Sequence, residues 1–295
     1  MNIEMERRAI ECLKAFEPHD EQGYYLCYSG GKDGDTVRLL AQLAGVAHQC
    51  KHNLTTADAP ETVYYIRDTI GKENIISPAL SIWQLIVKKG IPPSRKVRYC
   101  CSELKEIGGK GQVKITGVRK AESKSRRALQ ELVTISGAPK HTVKAAEGLS
   151  VSYRISRRNG ILLDNTNDRS RRLVAARYKS CSVAINPISD WEESDVWQFL
   201  HHYGCKSNPL YQCGFKRIGC VGCPLGGFKN MKREFEYYPK FYENYIKTFD
   251  RMIAERARRG QETSKVWADG EAVMRWWLGG ELLNLPVEIA HNLAV

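Results

Sequence analysis

The chain has 295 residues, of which 42% are hydrophobic and 26% are charged, and its formal net charge is +12. No apolar run approaches the roughly 18 residues that span a bilayer, and the charged N-terminus lacks the apolar segment of a signal peptide. These features argue against a membrane protein and predict a cytoplasmic globular chain without a membrane partner.

Short apolar runs alternate with amphipathic segments through the first part of the chain. We predict a peripheral helix over 1–20 and then strands near 24–28, 48–54, 74–77 and 113–116. Helices are predicted between these strands, near 35–45, 60–70 and 80–89. Strands separated by helices of this length indicate an α/β fold with a doubly wound parallel sheet.

The rest of the chain has a different character. Residues 120–180 are polar, which predicts a long, irregular and partly mobile excursion with short strands near 133–136 and 149–155. Residues 234–280 are predicted to be mostly helical, with an aromatic stripe that indicates core packing. We therefore predict an α/β domain over 1–200, which includes the excursion, and a cysteine-containing, mostly helical region over 201–295.

A glycine-rich segment follows the first predicted strand. It comprises Ser29, Gly30, Gly31, Lys32, Asp33 and Gly34, and we call it the Gly30 loop. A strand, a tight loop and a helix in this order direct backbone N–H groups and a helix N-terminus at one small volume, which favours an anion. The glycines allow close approach of a phosphate, and Lys32 adds a positive charge. The other common phosphate-binding loop, G-x-x-x-x-G-K-[ST], is absent.

Chemistry-bearing residues also follow two later strands. Asp58 comes after the second predicted strand, and Gly117 and Arg119 come after the strand at 113–116. Ligands of doubly wound sheets bind beyond the carboxyl ends of the strands. We therefore expect the Gly30 loop, Asp58 and Arg119 to converge on one nucleotide pocket.

Five segments, in order along the chain, resemble the motifs of a known family. They lie at 28–36, 52–61, 95–105, 116–126 and 186–197. The first resembles the PP-loop, S-G-G-x-D-S, of N-type ATP pyrophosphatases and of the phosphoadenosine-phosphosulfate (PAPS) reductase family. The resemblance covers about residues 20–230 and implies an adenine nucleotide α-hydrolase-like fold.

The resemblance also implies roles for particular residues. The nucleotide-binding residues would be those of the Gly30 loop together with Asp58, Gly117, Arg119 and Arg126. Asp58 would contact the nucleoside, and Lys105 would be a further anion contact. Lys32, Asp33 and Arg119 would carry the chemistry on ATP, with Mg²⁺ on the phosphates. Arg119 would clamp phosphate or sulfate oxygens bidentately.

Ten cysteines in a cytoplasmic chain favour metal or redox chemistry over disulfides. A CxxC pair, Cys220 and Cys223, accompanies a distant tandem pair, Cys100 and Cys101, and Cys213 is a substitute candidate. A CxxC alone suits zinc, an iron–sulfur cluster or redox chemistry. The two pairs together resemble the [4Fe–4S] ligand set of adenylyl-sulfate reductases, so we favour that cluster over zinc.

Three departures from the family pattern bear on function. Gly34 stands where the PP-loop usually has Ser, which removes a hydroxyl. The C-terminal E-C-G-[IL]-H segment of sulfonucleotide reductases is missing, since the last cysteine is Cys223. Lys32 is typical of enzymes that use ATP, whereas the reductases mostly lack a lysine there.

We therefore favour an ATP-using enzyme that forms an adenylylated intermediate, releases pyrophosphate and acts in sulfur transfer. The alternatives are a PAPS or adenylyl-sulfate reductase that releases sulfite, and a non-catalytic nucleotide-binding cluster protein. A sulfur donor or a thiol reductant protein is the expected protein partner. The acceptor and the oligomeric state are not determined by the sequence.

The net charge of +12 favours a polyanionic partner such as tRNA or DNA, bound through a basic face. The alternative is a solvated basic face or a phosphate-lined pocket. Basic residues cluster at Lys120, Lys124, Arg126, Arg127, Arg154, Arg157, Arg158, Arg169, Arg171, Arg172 and Arg177.

Overall fold

Eight strands pair into one sheet in the part of the chain that the computed structural model describes, which is residues 2–137, 139–262 and 267–279. They are β1 (Tyr24–Cys27), β2 (His48–Asn53), β3 (Ile75–Ile76), β4 (Val113–Ile115), β5 (Val133–Ser136), β6 (Arg154–Ile155), β7 (Ile161–Leu163) and β8 (Ser182–Ile185). Their order across the sheet is β3-β2-β1-β4-β8-β5-β7-β6.

The sheet combines a parallel part and an antiparallel part. Strand β1 pairs in parallel with β2 and β4, and β4 pairs in parallel with β8, with Leu26 opposite both Cys50 and Ile115. Leu26 and Ile115 are fully buried, as expected for central parallel strands that are covered on both faces. The predicted α/β fold with a doubly wound parallel sheet is confirmed for this part.

Helices connect and flank these strands. They are α1 (Ile3–Ala15), α2 (Lys32–Ala44), α3 (Pro60–Ile70), α4 (Ile82–Lys89), α5 (Lys124–Leu129), α6 (Pro139–Gly148), α7 (Asp168–Arg177), α8 (Glu193–His202), α9 (Phe228–Tyr237), α10 (Pro239–Arg258) and α11 (Gly270–Trp277). The last three confirm the predicted helical character of the C-terminal region. Across the described ranges, none of the helices has the length and apolarity that a membrane crossing requires.

The stretch over 120–180 is more regular than expected, although the predicted strand at 133–136 is found as β5. This stretch contains helices α5, α6 and α7 and adds β5, β7 and β6 to the sheet as antiparallel neighbours. The three residues of β7 are all buried, and β7 pairs with β5. The error arose because a three-residue apolar run among many charged residues carries little periodic signal, whereas sheet pairing at the edge of a formed core stabilises it.

The chain divides into two compact units. The first contains the described residues up to His52 together with Glu61–Ile75 and Gly108–Ile218. The second contains Asn53–Pro60, Ile76–Ile107 and the described residues from Gly219 onward. Each unit is assembled from separate stretches of the chain, and the division at residue 200 into domains 1–200 and 201–295 stays a prediction.

The aromatic stripe of the C-terminal helices lies in the second unit. The ring of Trp277 lies 4.8 Å from Tyr245 and 5.4 Å from Phe249, centroid to centroid, and Phe235 lies 5.6 Å from Tyr245. The four side chains are buried. The stripe therefore packs a core, as its helical spacing predicted.

Candidate functional site

The Gly30 loop joins β1 to α2 in the first unit. Gly30 has a φ of +69°, and a side chain there would press against Ile66, because a Cβ would lie 2.7 Å from its Cγ1. The amide of Asn208, which is fully buried, donates to the carbonyl oxygen of Gly30 over 3.0 Å. Gly31 caps α2 with extended backbone, so the helix begins at Lys32, three residues earlier than predicted.

Lys32 is a buried cation at the first position of α2. It is only 6% exposed, and its Nζ lies 3.8 Å from Oδ2 of Asp33 and 3.7 Å from Oε1 of Glu193. The ammonium also lies 5.7 Å from the ring centroid of Tyr211, within the range of a cation–π contact. The backbone N–H of Lys32 donates to the Tyr211 hydroxyl over 2.9 Å. These contacts fix the position of Lys32 and place its ammonium near two carboxylates and an aromatic ring.

Arg119 is brought to the same place from the end of β4. Its guanidinium Nε donates to Oδ1 of Asp33 over 2.6 Å, and the residue is only 3% exposed. Gly117 also approaches closely, since a Cβ there would lie 2.7 Å from the carbonyl oxygen of Asp33. The structure therefore brings Lys32, Asp33, Gly117 and Arg119 together, with Asp33 joining the two cations.

Gly34 and Asp35 continue the first turn of α2. A Cβ at Gly34 would lie 3.3 Å from the Tyr28 ring, so the absence of the usual Ser at this position accommodates Tyr28. The Tyr28 hydroxyl donates to Oδ1 of the buried Asp35 over 2.5 Å. Burial raises the pKa of Asp35 to about 6, although the hydrogen bond from Tyr28 acts in the opposite direction.

Three residues of this site were missed at the sequence level as contacts of the Gly30 loop. They are Glu193, Asn208 and Tyr211, of which Asn208 and Tyr211 lie almost 180 positions from the loop. The available sequence signal was their position, since Glu193 lies within the motif segment at 186–197 and the other two belong to an N-P-L-Y segment before the CxxC. Their side-chain types alone gave no indication of contact with Lys32 or Gly30.

Two other predicted nucleotide contacts have protein partners in the structure. Arg126 lies on α5, with its guanidinium 3.8 Å from Glu122. Asp58 belongs to the second unit, where its Oδ2 accepts from the backbone N–H of Thr55 over 2.6 Å. Ser29 is an exposed residue of the Gly30 loop. The contacts of these residues with a nucleotide stay predictions.

The four predicted cluster cysteines all belong to the second unit. Cys101 opens a π-helical turn, Cys101–Lys105, directly after Cys100. Cys220 forms an isolated antiparallel β-bridge with Asp58, and its Sγ lies 3.3 Å from Oγ1 of Thr55. A short π-helical turn and a bridged loop thus present the two cysteine pairs. Insertions of this kind in a helix are frequent at functional sites.

Charges act between the two cysteine pairs. The pKa of Cys100 is raised, first by its hydrogen bond with Cys101 and by burial, and further by Cys220 and Cys223. Burial raises the pKa of Cys220, and the ammonium of Lys105 acts against this. The pKa of Lys105 is in turn raised, chiefly by Cys220. The four thiols therefore lie within electrostatic reach of one another and of one cation.

The predicted cluster site consists of four cysteine thiols. Within the residues described, no three His, Cys, Asp or Glu side chains stand close enough together to hold a single metal ion. Four thiolates are the donors of structural zinc sites and of [4Fe–4S] clusters alike, so the preference for the cluster stays a prediction. Cys213, the predicted substitute, is exposed and belongs to the first unit.

The fold and the Gly30 loop define an α/β protein whose parallel strands lead to a glycine-rich loop that carries cations. The chain matches the family described as phosphoadenosine phosphosulfate reductase domain over residues 23–225, and it belongs to that family. The resemblance found in the sequence motifs is confirmed. Membership indicates an enzyme family that acts on nucleotides or sulfonucleotides.

Individual relatives add detail. One uncharacterized protein of Methanocaldococcus jannaschii is 37% identical over 272 residues, which are 87% of this chain and 47% of that protein. A second from the same organism is 23% identical over 254 residues, or 84% of this chain and 53% of that protein. The chain thus spans about half the length of these relatives.

Similarity to named reductases is more local. An adenosine 5′-phosphosulfate reductase of Allochromatium vinosum is 46% identical over 39 residues, which are 13% of this chain and 15% of that protein. The crystal structure of a phosphoadenylyl-sulfate reductase from Candida auris, in its phosphate complex, aligns with a TM-score of 0.39 and 16% identity. That alignment covers 67% of this chain and 80% of the other.

Proposed function

We propose that the chain binds ATP with Mg²⁺ at the Gly30 loop and transfers the adenylyl group to an acceptor, with release of pyrophosphate, as a step of sulfur transfer. One observation carries this proposal. Two nearly buried cations, Lys32 and Arg119, lie on either side of Asp33 at the N-terminus of α2. Buried cations at the N-terminus of a helix are suited to a polyphosphate.

The residues of the site have distinct roles in this proposal. The N–H groups of Asp33 and Gly34 in the first turn of α2 and the ammonium of Lys32 bind the β- and γ-phosphates. Arg119 binds oxygens of the α-phosphate, where negative charge builds up during transfer. The carboxylates of Asp33 and Glu193, both near Lys32, are hard oxygen donors of the kind that Mg²⁺ prefers.

The reaction is an in-line displacement. An acceptor oxygen attacks the α-phosphorus, and the bond from this phosphorus to the bridging oxygen of pyrophosphate breaks. Pyrophosphate leaves with the electron pair, and the acceptor proton passes to solvent. The outer sulfur of a donor persulfide then attacks the acceptor atom that carries the adenylyl oxygen, and AMP leaves with that oxygen and its electron pair. A thiol of the reductant protein attacks the donor-side sulfur of the resulting disulfide, which frees the thiolated acceptor and leaves a disulfide between donor and reductant.

The cysteines belong to the same proposal. Cys100, Cys101, Cys220 and Cys223 would hold a [4Fe–4S] cluster, for which their four soft thiolates are suitable ligands. When bound, such a cluster supplies electron transfer or a site that handles sulfur. A sulfur donor or thiol reductant protein is the corresponding partner.

The proposal is tested by incubating anaerobically purified protein with ATP, Mg²⁺ and radiolabelled pyrophosphate. We expect pyrophosphate to exchange into ATP once an acceptor is present, and AMP to accumulate when a sulfur donor is added. Lys32→Ala should weaken ATP binding at least tenfold, because a buried cation at the phosphates is lost. Lys14→Ala, an exposed lysine of α1, is the matched control and should bind as wild type.

Three results would contradict the proposal. Sulfite released at a catalytic rate from adenylyl sulfate or phosphoadenylyl sulfate, with a thiol reductant, would identify a reductase. ATP binding without exchange or hydrolysis, across a range of acceptors, would identify a nucleotide-binding module. Unchanged ATP affinity in Lys32→Ala would remove the Gly30 loop as the nucleotide site.

A further inference from the structure

A cavity opens beside the Gly30 loop, wholly within the first unit. Its volume is about 490 Å³, within the range of roughly 300–1,000 Å³ that is typical of small-molecule sites. It is lined by Trp197, His201, Cys205, Lys206, Ser207, Asn208, Tyr211 and Gln212. These residues come from α8 and the segment that follows it.

Three rings contribute to the lining of this cavity. The Trp197 indole makes an edge contact with Tyr211, with 5.0 Å between centroids, and lies 5.8 Å from the His201 ring at an interplanar angle of 30°. Trp197 and Tyr211 are half-buried and His201 is exposed. Aromatic surface that is fixed by neighbouring rings and still reaches solvent favours a flat ligand that stacks.

Tyr211 joins the cavity to the Gly30 loop. The same side chain lines the cavity, accepts the hydrogen bond from the N–H of Lys32 and lies under the Lys32 ammonium. Asn208 likewise lines the cavity and donates to Gly30. A ligand in the cavity therefore lies one side chain away from the cation of the phosphate site.

From this geometry we infer that the cavity binds an unpaired nucleotide of a nucleic acid, which is the acceptor of the adenylyl group. The base stacks on the Trp197–Tyr211 pair, and the adjoining phosphates contact Lys206 and the basic residues Lys216 and Arg217 of the same segment. This inference rests on the proposed function, since it names the substrate class of that reaction.

Charge decides between a polynucleotide and a small neutral aromatic compound. The chain carries a formal net charge of +12, which exceeds what the phosphates of one ATP require. Binding of single strands combines aromatic stacking with a basic path for the backbone. The cavity supplies the first, and the basic side chains of the 206–217 segment supply the second.

The test measures binding of a short fluorescein-labelled single strand of mixed sequence, as RNA and as DNA, by fluorescence anisotropy with the full chain. We expect Trp197→Ala to weaken binding about tenfold, as expected for the loss of one stacked base. His201→Ala should weaken it a few-fold. His202→Ala changes the neighbouring exposed histidine, which does not line the cavity, and should bind as wild type.

Two further measurements separate the loss of base stacking from misfolding and from the loss of ATP binding. Trp197→Phe retains a ring and should keep most of the affinity, and it decides the question if the alanine variant fails to fold. Wild-type affinity in both Trp197→Ala and His201→Ala, or no binding of the strand by wild type, would overturn the inference. ATP binding is measured on the same preparations, so that loss of the proposed function is detected separately.

Discussion

Arg119 and Asp33 lie 86 positions apart in the chain, and the guanidinium of the first donates to the carboxylate of the second over 2.6 Å. Arg119 is almost fully buried, whereas the side chain of Asp33 is 26% exposed. The partly exposed carboxylate of Asp33 thus neutralises the Arg119 cation, which would otherwise be buried without a counter-charge. The pair also fixes the position of the Gly30 loop relative to the end of β4.

Asp33→Asn should destabilise the protein by about 2 kcal/mol, because it leaves the Arg119 charge without its carboxylate. This loss of stability is smaller than that for a fully buried ion pair, since Asp33 is partly exposed to solvent. ATP should restore part of the loss, since phosphate oxygens replace the carboxylate beside Arg119. Thermal denaturation with and without ATP measures both effects.

Asp190→Asn is the control for Asp33→Asn. Its side chain is 68% exposed and lies 2.7 Å from Lys120, so its removal should change stability by less than about 0.5 kcal/mol. A variant Asp33→Asn that is as stable as wild type would contradict the role of this carboxylate as the partner of the buried Arg119 charge.

Gly117→Ala should disturb the site without altering any charge. The added methyl group would lie 2.7 Å from the Asp33 carbonyl oxygen, which is backbone and cannot rotate away. We expect a loss of stability of about 1–3 kcal/mol together with weaker ATP binding, because the loop must shift. Gly148→Ala, where no atom lies within 4 Å of the added methyl group, should retain both properties. Equal ATP affinity in the two variants would show that the close approach of Gly117 is unimportant for the loop.

Asp35 should make stability depend on pH. Its pKa in the folded protein is about 6, raised by burial from its ordinary value of 3.8. Because the folded state holds the proton more tightly, the favourable contribution is complete below about pH 4 and is lost as the pH rises through 6. The loss is on the order of 3 kcal/mol.

Asp35→Asn should remove this dependence, since an amide does not titrate and its oxygen still accepts from Tyr28. Urea unfolding at several pH values between 4 and 7 gives the slope, and the curve of the variant should be flatter. Asp168→Asn, an exposed carboxylate of α7, should keep the wild-type slope. Parallel curves for Asp35→Asn and wild type would show that this carboxyl group does not titrate in the range.

The cysteines give a direct test of the cluster. Cys220→Ser should lose the brown absorbance together with iron and acid-labile sulfide, because one of four thiolate ligands is removed. Cys213→Ser should keep them, since Cys213 is exposed and lies in the other unit. If Cys220→Ser retains the brown absorbance, Cys220 is not a ligand of the cluster. Wild-type protein that contains zinc and no iron would contradict the presence of the cluster itself.

Part of the fold and of the site was predictable because its signals are local. The apolar run before Gly30 and the periodic segment after it predicted a strand, a loop and a helix, and β1 and α2 are found there. Arg119 was expected near the loop because both follow parallel strands. The buried run at 161–163 was missed, since its strand character depends on pairing with β5 rather than on its own sequence.

The sequence by itself determined the family, the parallel part of the sheet and the residues of the Gly30 loop. Strands, helices and glycine-rich turns are encoded by patterns that extend over only a few positions, so they can be recognised without the tertiary structure. Only the tertiary structure decided that Glu193, Asn208 and Tyr211 hold this loop. The N–H of Lys32 and the hydroxyl of Tyr211 are 179 positions apart, and no local preference encodes their contact. Burial likewise sets the pKa of Asp35, which its residue type alone would place near 3.8.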